Sequence, residues 1–205
     1  MLPLCFGEAT KFSQFLLDAN KAYTSTFVLG QSSTTDDADG EIMAVADASK
    51  LTEAEVLSAL MMFQGEQEQV PPMYSALKHN GERLYKLARR GEKVERASRD
   101  IRVDDIELLD FRVDDATHVV EIDVSLSVSK GTYIRRIAAD LGEKLAVGGF
   151  VSALRRVQSG PFVESQAVDF EQLERLKGFD NTAALDELLL PMDSALQHIP
   201  SVVLG

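Results

Sequence analysis

Strict alternation of apolar and polar residues distinguishes one stretch of the chain, THVVEIDVSLSVS. Large aliphatic residues occupy every second position: Val120, Ile122, Val124, Leu126 and Val128. A period of two predicts a half-buried β-strand. In the following KGTYIRRIAADLGEKL the apolar residues share one helical face: Ile134, Ile137, Ala138, Leu141 and Leu145. We therefore expect a strand that leads directly into an amphipathic helix.

Two further elements follow from pattern alone. YTSTFVLG alternates and predicts a strand that ends at Gly30. KLTEAEVLSALMMFQG predicts a helix, because Thr52 and Glu55 have the spacing of a capping box at its start. We expect this helix to end at Gly65. Between them, QSSTTDDADGE is rich in turn-forming residues and predicts a loop. Strands and helices along one chain indicate the α/β (α+β) class.

Composition narrows the class of protein. With 205 residues, 45% of them hydrophobic, the chain can bury the core of one large domain or two small ones. Its single cysteine excludes an intramolecular disulfide, and its three histidines (His79, His118, His198) lack ligand spacing. The aspartates at 36, 37 and 39 do not match a calcium loop, because no Glu lies at the required offset. We expect a cytoplasmic monomer without a metal or a membrane span.

Charge is segregated along the chain. The net charge is −12, yet residues 78–102 carry nine basic and four acidic side chains, and residues 130–156 carry six and two. Since these segments together contribute +9, the rest of the chain sums to −21. Either segment alone could be a solvated surface, but two basic segments in an acidic chain favour contact with a polyanion such as nucleic acid.

The predicted start of the helix carries three cations, Lys130, Arg135 and Arg136. A helix N-terminus is already positive, so cations there are unfavourable unless an anion lies among them. Arg135 could serve a carboxylate or a phosphate, since its planar guanidinium binds either at two points. Alternatively, these side chains extend into solvent or pair with acidic residues such as Asp140.

Several motifs together resemble one enzyme family. FGEATK, KAY, DADGE, PPMYSALKHNGERLYKLARRG, SKGTYIRRIAADLGEKL and LRRVQSGPF occur in the order and spacing of the TruB-type tRNA pseudouridine synthases, over essentially residues 1–200. The resemblance implies the pseudouridine synthase fold, with a mixed, largely antiparallel sheet and flanking helices. It also implies isomerisation of the T-arm uridine (position 55) of tRNA, without cofactor or metal.

The resemblance assigns roles to individual residues. Tyr23 in KAY matches the active-site tyrosine, whose ring would stack on a flipped uracil. Arg135 matches the arginine that pairs with the catalytic Asp, and Asp37 matches a supporting residue that pairs with the same arginine. The expected substrate-binding residues comprise one apolar pocket residue and a set of basic or aromatic side chains: Leu154, Lys130, Tyr74, Lys78, Arg83, Arg89 and Arg90.

The resemblance also implies a domain organisation. Residues 1–163 would form a catalytic domain with a mobile basic RNA-binding arm at 72–102. Residues 164–205 would form an acidic helical extension leading toward a PUA domain that this chain does not contain.

In the family, the stretch matching residues 1–11 follows His-x-Gly-x-Leu-Asp-Pro-x-Ala-Thr-Gly, which contains the catalytic Asp. That motif is absent from this sequence, so we expect an N-terminally truncated fold that is inactive alone. Two alternatives stay open: a non-catalytic RNA-binding or tRNA-folding-assistant fragment, and a soluble domain whose arm binds a protein.

Overall fold

The chain divides into two compact units in a computed structural model that describes residues 1–177 and 182–197. One unit comprises Met1–Ala22 with Arg156–Gly205, and the other comprises Tyr23–Arg155. His198 lies outside the described residues. No helix within the described ranges is both long enough and apolar enough to cross a bilayer.

Ten strands and six α-helices make up the described chain. The strands are β1 Lys21–Leu29, β2 Gln31–Ser33, β3 Ile42–Ala44, β4 Gly65–Gln69, β5 Lys78–His79, β6 Glu82–Arg83, β7 Arg99–Asp114, β8 Val119–Val128, β9 Gly149–Ser159 and β10 Phe162–Val163. The helices are α1 Ser13–Asp18, α2 Glu53–Met61, α3 Leu84–Arg89, α4 Ile134–Lys144, α5 Phe170–Lys177 and α6 Thr182–Asp186. Three 3₁₀ segments cover Gly7–Phe12, Glu164–Gln166 and Met192–Leu196.

Six strands form the central sheet in the order β10-β9-β1-β8-β7-β4. The pairs β10/β9, β8/β7 and β7/β4 are antiparallel. Two small antiparallel hairpins, β2/β3 and β5/β6, lie outside this sheet. The mixed α/β class with a largely antiparallel sheet and flanking helices is thereby confirmed.

Strand β8 and helix α4 supply the centre of the main core. The aliphatic residues of β8 predicted to share a face are all buried: Val120, Ile122, Val124, Leu126 and Val128. Ile137 and Leu141 of α4 pack into the same cluster. Gly142 permits close approach of α4 to the main chain before β9, because a Cβ there would lie 2.1 Å from the carbonyl carbon of Gly148. The sheet therefore fixes the position of α4.

Helix α2 begins as predicted. The Thr52 side chain accepts from the backbone N–H of Glu55, and the Glu55 carboxylate accepts from the N–H of Thr52, which completes the capping box. The helix is shorter than the pattern indicated: it ends at Met61, and Gly65 begins β4 instead. Gly65 has a φ of 102°, so it allows the chain to change direction at low cost.

Strand β7 is the longest element, and sequence pattern did not predict it. Its first four residues, 99–102, pair with β4 and were assigned above to the basic arm. The register shifts twice along β7, between Val103 and Asp105 and between Leu108 and Asp110. Each irregularity interrupts the period-two alternation, so the apolar pattern of the strand is weak.

Candidate active site

Arg135 lies in the first turn of α4 and contacts two other segments of the chain. Its Nη1 donates to Asp37 Oδ2 at 2.5 Å and to the carbonyl oxygen of Thr35 at 3.4 Å. Its Nη2 donates to the carbonyl oxygen of Tyr74 at 2.8 Å. The side chains of Arg135 and Asp37 are each only 22% exposed. The helix start therefore has the anion that its charge requires, and that anion is a carboxylate of the same chain.

The loop between β2 and β3 holds Asp37 in place. Thr35 Oγ1 donates to Asp37 Oδ1 at 2.5 Å, and the Asp39 N–H donates to the same oxygen at 3.2 Å. Asp37 also forms an isolated parallel bridge with Val151 of β9. Because both carboxylate oxygens have partners, Asp37 is oriented rather than free to rotate.

A second group of charges lies beside this pair. Arg136 donates to Asp140 and to Glu143, with Nη2 to Glu143 Oε1 at 2.8 Å, and its Nη1 is 3.7 Å from Asp36 Oδ2. Burial raises the pKa of Asp36, and the nearby charges of Arg136 and Arg135 offset this only in part. Burial likewise raises the pKa of Asp140 against the hydrogen bond from Arg136. The alternative that these helix-start cations pair with Asp140 thus holds for Arg136.

The backbone conformation of Asp36 places consecutive carboxylates beside different arginines, that of Asp36 near Arg136 and that of Asp37 beside Arg135. Its φ of 60° lies in the left-handed region, which Asp tolerates better than most residues. Its carbonyl oxygen accepts from the N–H of Val151 at 3.1 Å. Consecutive aspartates, Asp36 and Asp37, thereby approach the consecutive arginines Arg136 and Arg135.

Tyr23 and Leu154 lie on neighbouring strands, β1 and β9. Ser25 Oγ donates to the carbonyl oxygen of Ala153 at 2.7 Å, so the two strands are adjacent at this level. Tyr23 is partly buried against the main core, and the Leu154 side chain is 47% exposed. Among the described residues, no hydrogen bond or ion pair joins Tyr23 to Arg135, so their cooperation stays a prediction.

The expected RNA-binding residues of the arm lie on the β5/β6 hairpin and on α3. Lys78 and Arg83 face each other directly across the hairpin. Like charges in that arrangement are unfavourable unless an anion contacts both. Arg89 lies over the Tyr85 ring at 5.4 Å, whereas Arg90 forms ion pairs with Glu82 and Glu92. Of the four predicted arm residues, Arg90 is thus the one whose guanidinium is already paired with carboxylates of the chain.

The remaining predicted residues are in separate places. Lys130 is exposed in the turn before α4, and Tyr74 binds Arg135 through its carbonyl oxygen. Tyr74 lines a cavity of about 580 Å³, which Arg96, Arg136 and Asp140 also line. No group of His, Cys, Asp or Glu within the described ranges has the arrangement of a metal site.

Sequence reasoning missed Gln69 and the role of Thr35 in this site. Gln69 is the last residue of β4, and its side chain bonds to the backbone of Tyr133, just before α4. A glutamine in the polar run QGEQEQ carries no signal of such a contact. Thr35 falls in a run of Ser, Thr and Asp whose turn chemistry alone accounts for its presence.

Comparison with known proteins gives consistent matches over the described chain. Residues 1–134 match the family described as TruB family pseudouridylate synthase (N terminal domain). Residues 135–197 match the tRNA pseudouridylate synthase B C-terminal domain. The two matches together account for nearly all of the chain.

Curated relatives and solved structures agree with these matches. "tRNA pseudouridine synthase B" of Saccharophagus degradans is 52% identical over 204 residues, all of this chain and 64% of the relative. The protein of the same description from Stutzerimonas stutzeri is 50% identical over 205 residues, all of this chain and 65% of the relative. A Cbf5-Nop10-Gar1 complex contains a chain with a TM-score of 0.66 and 26% identity, over 93% of this chain and 47% of that one. This chain thus spans slightly less than two-thirds of the length of the curated relatives.

Proposed function

Because the chain belongs to the TruB family of pseudouridylate synthases, we propose that it supplies most of the site of a tRNA pseudouridine synthase. Its substrate would be the T-arm uridine of tRNA. The observation that supports this best is the oriented Arg135–Asp37 pair at the start of α4, which is the arrangement that the family resemblance implied.

The reaction defines what each residue would have to do. Pseudouridine formation breaks the N1–C1′ bond, turns the uracil and joins it through C5, so it needs a carboxylate near C1′ and a base for the C5 proton. Arg135 would orient that carboxylate, and Tyr23 would stack on the uracil with its hydroxyl near C5. Leu154 would contribute an apolar wall. No cofactor would take part.

We propose further that this 205-residue chain does not form pseudouridine by itself. Of the aspartates in the β2–β3 loop, Asp37 is bound to Arg135 and Thr35. Asp36 has a raised pKa beside Arg136, and Asp39 is exposed. Asp36 and Asp37 are thus engaged by the arginines at the start of α4, and loss of a catalytic carboxylate typically costs several powers of ten in rate.

The test compares the chain with an extended chain, in which a Leu-Asp-Pro-x-Ala-Thr-Gly segment of the family type precedes Met1. Both are incubated with T-arm RNA that carries tritium at C5 of uridine. We expect tritium release from the extended chain and none above background from the 205-residue chain. Equal release from both would contradict the proposal that this chain is inactive alone, and Asp36, Asp37 and Asp39 would then have to be tested as the catalytic carboxylate.

A second candidate function is binding of tRNA without catalysis. The arm supports it, because Lys78, Arg83 and Arg89 are exposed there and would not depend on a Leu-Asp-Pro segment. Binding of T-arm RNA by the extended chain with no tritium release would favour this candidate. Binding no better than to a neutral polymer would favour a protein partner instead.

A further inference from the structure

Gln69 is a buried polar residue whose side chain both donates and accepts a hydrogen bond within the protein. It is 5% exposed, although the two glutamates that precede it on the same strand, Glu66 and Glu68, are exposed. A buried carboxamide destabilises the fold unless both its donor and its acceptor are hydrogen-bonded. The placement of Gln69 therefore depends on its partners.

Both partners belong to one residue, Tyr133. Gln69 Nε2 donates to the Tyr133 carbonyl oxygen at 3.1 Å, and the Tyr133 N–H donates to Gln69 Oε1 at 2.8 Å. This two-point pairing is the one that a peptide group of a neighbouring strand would make. It holds the main chain of Tyr133 in position and direction, which a single bond would not do.

Tyr133 is the residue from which α4 starts. It precedes Ile134, has extended backbone angles and makes no side-chain cap. Its carbonyl oxygen accepts from the N–H groups of Arg136 at 3.0 Å and of Ile137 at 3.3 Å, the first hydrogen bonds of the helix. The helix has no side-chain cap of its own, so the hydrogen bonds between Gln69 and the Tyr133 backbone help to fix its first turn.

The segment that contains Gln69 also reaches the Arg135 guanidinium. Tyr74, five residues after Gln69, accepts from Arg135 Nη2 through its carbonyl oxygen. Residues 69–74 therefore contact the start of α4 at two points. Gln69 binds the backbone of Tyr133, two residues before Arg135, and the Tyr74 carbonyl accepts from the Arg135 guanidinium. That run leads directly into the hairpin that carries Lys78 and Arg83.

We propose that Gln69 is a positioning residue, which sets the start of α4 so that Arg135 stays aligned. This inference rests on the proposed function, since it assigns to Gln69 the orientation of the arginine that would orient the catalytic carboxylate. Catalytic geometry tolerates displacements of only about 0.5 Å, and a misplacement of about 1 Å can cost a factor of about 100 in rate.

The test uses Gln69→Leu, which keeps the volume and removes both hydrogen bonds. Gln67→Leu is the matched control, because Gln67 lies on the same strand and its side chain donates to the Phe63 carbonyl at 2.5 Å rather than to Tyr133. Rotation of the Arg135 guanidinium is followed by ¹⁵N NMR on the 205-residue chain. We expect faster rotation in Gln69→Leu than in the unmodified chain, and unchanged rotation in Gln67→Leu.

Turnover in the extended chain gives the second measurement. Gln69→Leu should lower kcat by about 10- to 100-fold with the affinity for T-arm RNA nearly unchanged, whereas Gln67→Leu should retain kcat. If Gln69→Leu does not fold, Gln69→Glu replaces it, because a carboxylate still accepts from the Tyr133 N–H but repels its carbonyl.

The two measurements separate this inference from the proposed function. Failure of the unmodified extended chain to form pseudouridine would contradict the proposed function, while the NMR comparison would still decide whether Gln69 aligns Arg135. Rotation rates of Arg135 that are equal in the Gln69 and Gln67 variants would overturn the inference.

Discussion

Arg135 illustrates how one side chain can depend on geometry more than on charge. Its two terminal nitrogens serve different partners, Asp37 through Nη1 and the Tyr74 carbonyl through Nη2. A lysine would keep the positive charge, but its single ammonium has no rigid fork with which to satisfy both partners at once. The shape of the Arg135 guanidinium, rather than its positive charge alone, thus holds the β2–β3 loop and the base of the arm against α4.

We therefore predict that Arg135→Lys in the extended chain lowers turnover by roughly 100-fold and leaves affinity for T-arm RNA nearly unchanged. Arg136→Lys is the comparison, because the same substitution one residue later alters the contacts with Asp36, Asp140 and Glu143 and leaves the partners of Arg135 in place. Single-turnover rates and RNA binding are measured for both variants. Turnover of Arg135→Lys within a few-fold of the unmodified protein would refute the alignment role.

The charges at the start of α4 also show which contacts of single residues can be predicted from sequence and which cannot. The rule that cations oppose a helix dipole correctly required an anion near Arg135. It left open which carboxylate would pair with which arginine. That pairing is long-range, since Arg135 and Asp37 are separated by 98 positions, and only the fold brings them together.

At the scale of elements, a strand or helix could be predicted from sequence only where its apolar residues recur with a regular period. β8 and α4 were predictable because their apolar residues follow one period without interruption, and both are central to the core. β7 was not, since its two register shifts disrupt the alternation. Hairpin β5/β6, with two residues in each strand, is too short for any periodic signal.

The polar face of β8 carries a cross-strand network that pH can test. Asp123 accepts from Thr26 Oγ1 at 2.6 Å on β1 and from Arg112 Nη1 at 2.6 Å on β7. Hydrogen bonds from Arg112 and then Thr26 hold the pKa of Asp123 below its ordinary value of 3.8. A lowered pKa in the folded protein contributes stability above the ordinary pKa, and that stability is lost as the pH falls through the folded value.

Asp123→Asn should accordingly lower the free energy of unfolding by about 1 kcal/mol near neutral pH, a modest amount because the network is partly exposed. The difference from the unmodified protein should be constant between about pH 7 and pH 5 and shrink below about pH 4. Urea unfolding across this range measures it, with Asp115→Asn, in the exposed turn after β7, as the control. A difference independent of pH would mean that the Asp123 carboxylate charge is not the cause.

At the scale of the whole molecule, the distribution of charge says more than its total. A chain with a net charge of −12 should repel a polyanion, yet residues 78–102 carry nine basic side chains, four of which lie on one hairpin and one short helix: Lys78, Arg83, Lys86 and Arg89. Not every basic side chain of the arm is equally available to a polyanion, because Arg90 is already paired with Glu82 and Glu92. Lys78 and Arg83, which face each other across the hairpin, form the stronger candidate for phosphate contacts.

The last prediction follows from this distribution. Each phosphate contact made by a basic side chain releases counterions, so log K for RNA should fall with log salt by about 0.7 to 0.9 per contact. Arg83→Ala with Arg89→Ala should weaken binding of T-arm RNA to the 205-residue chain and reduce the slope by about 1.4 to 1.8. Lys50→Ala with Lys177→Ala is the control, because it removes the same net charge from exposed positions outside the arm. Titrations at several salt concentrations measure both slopes, and an equal change in the two double variants would show that RNA responds to the total charge of the protein and not to the arm.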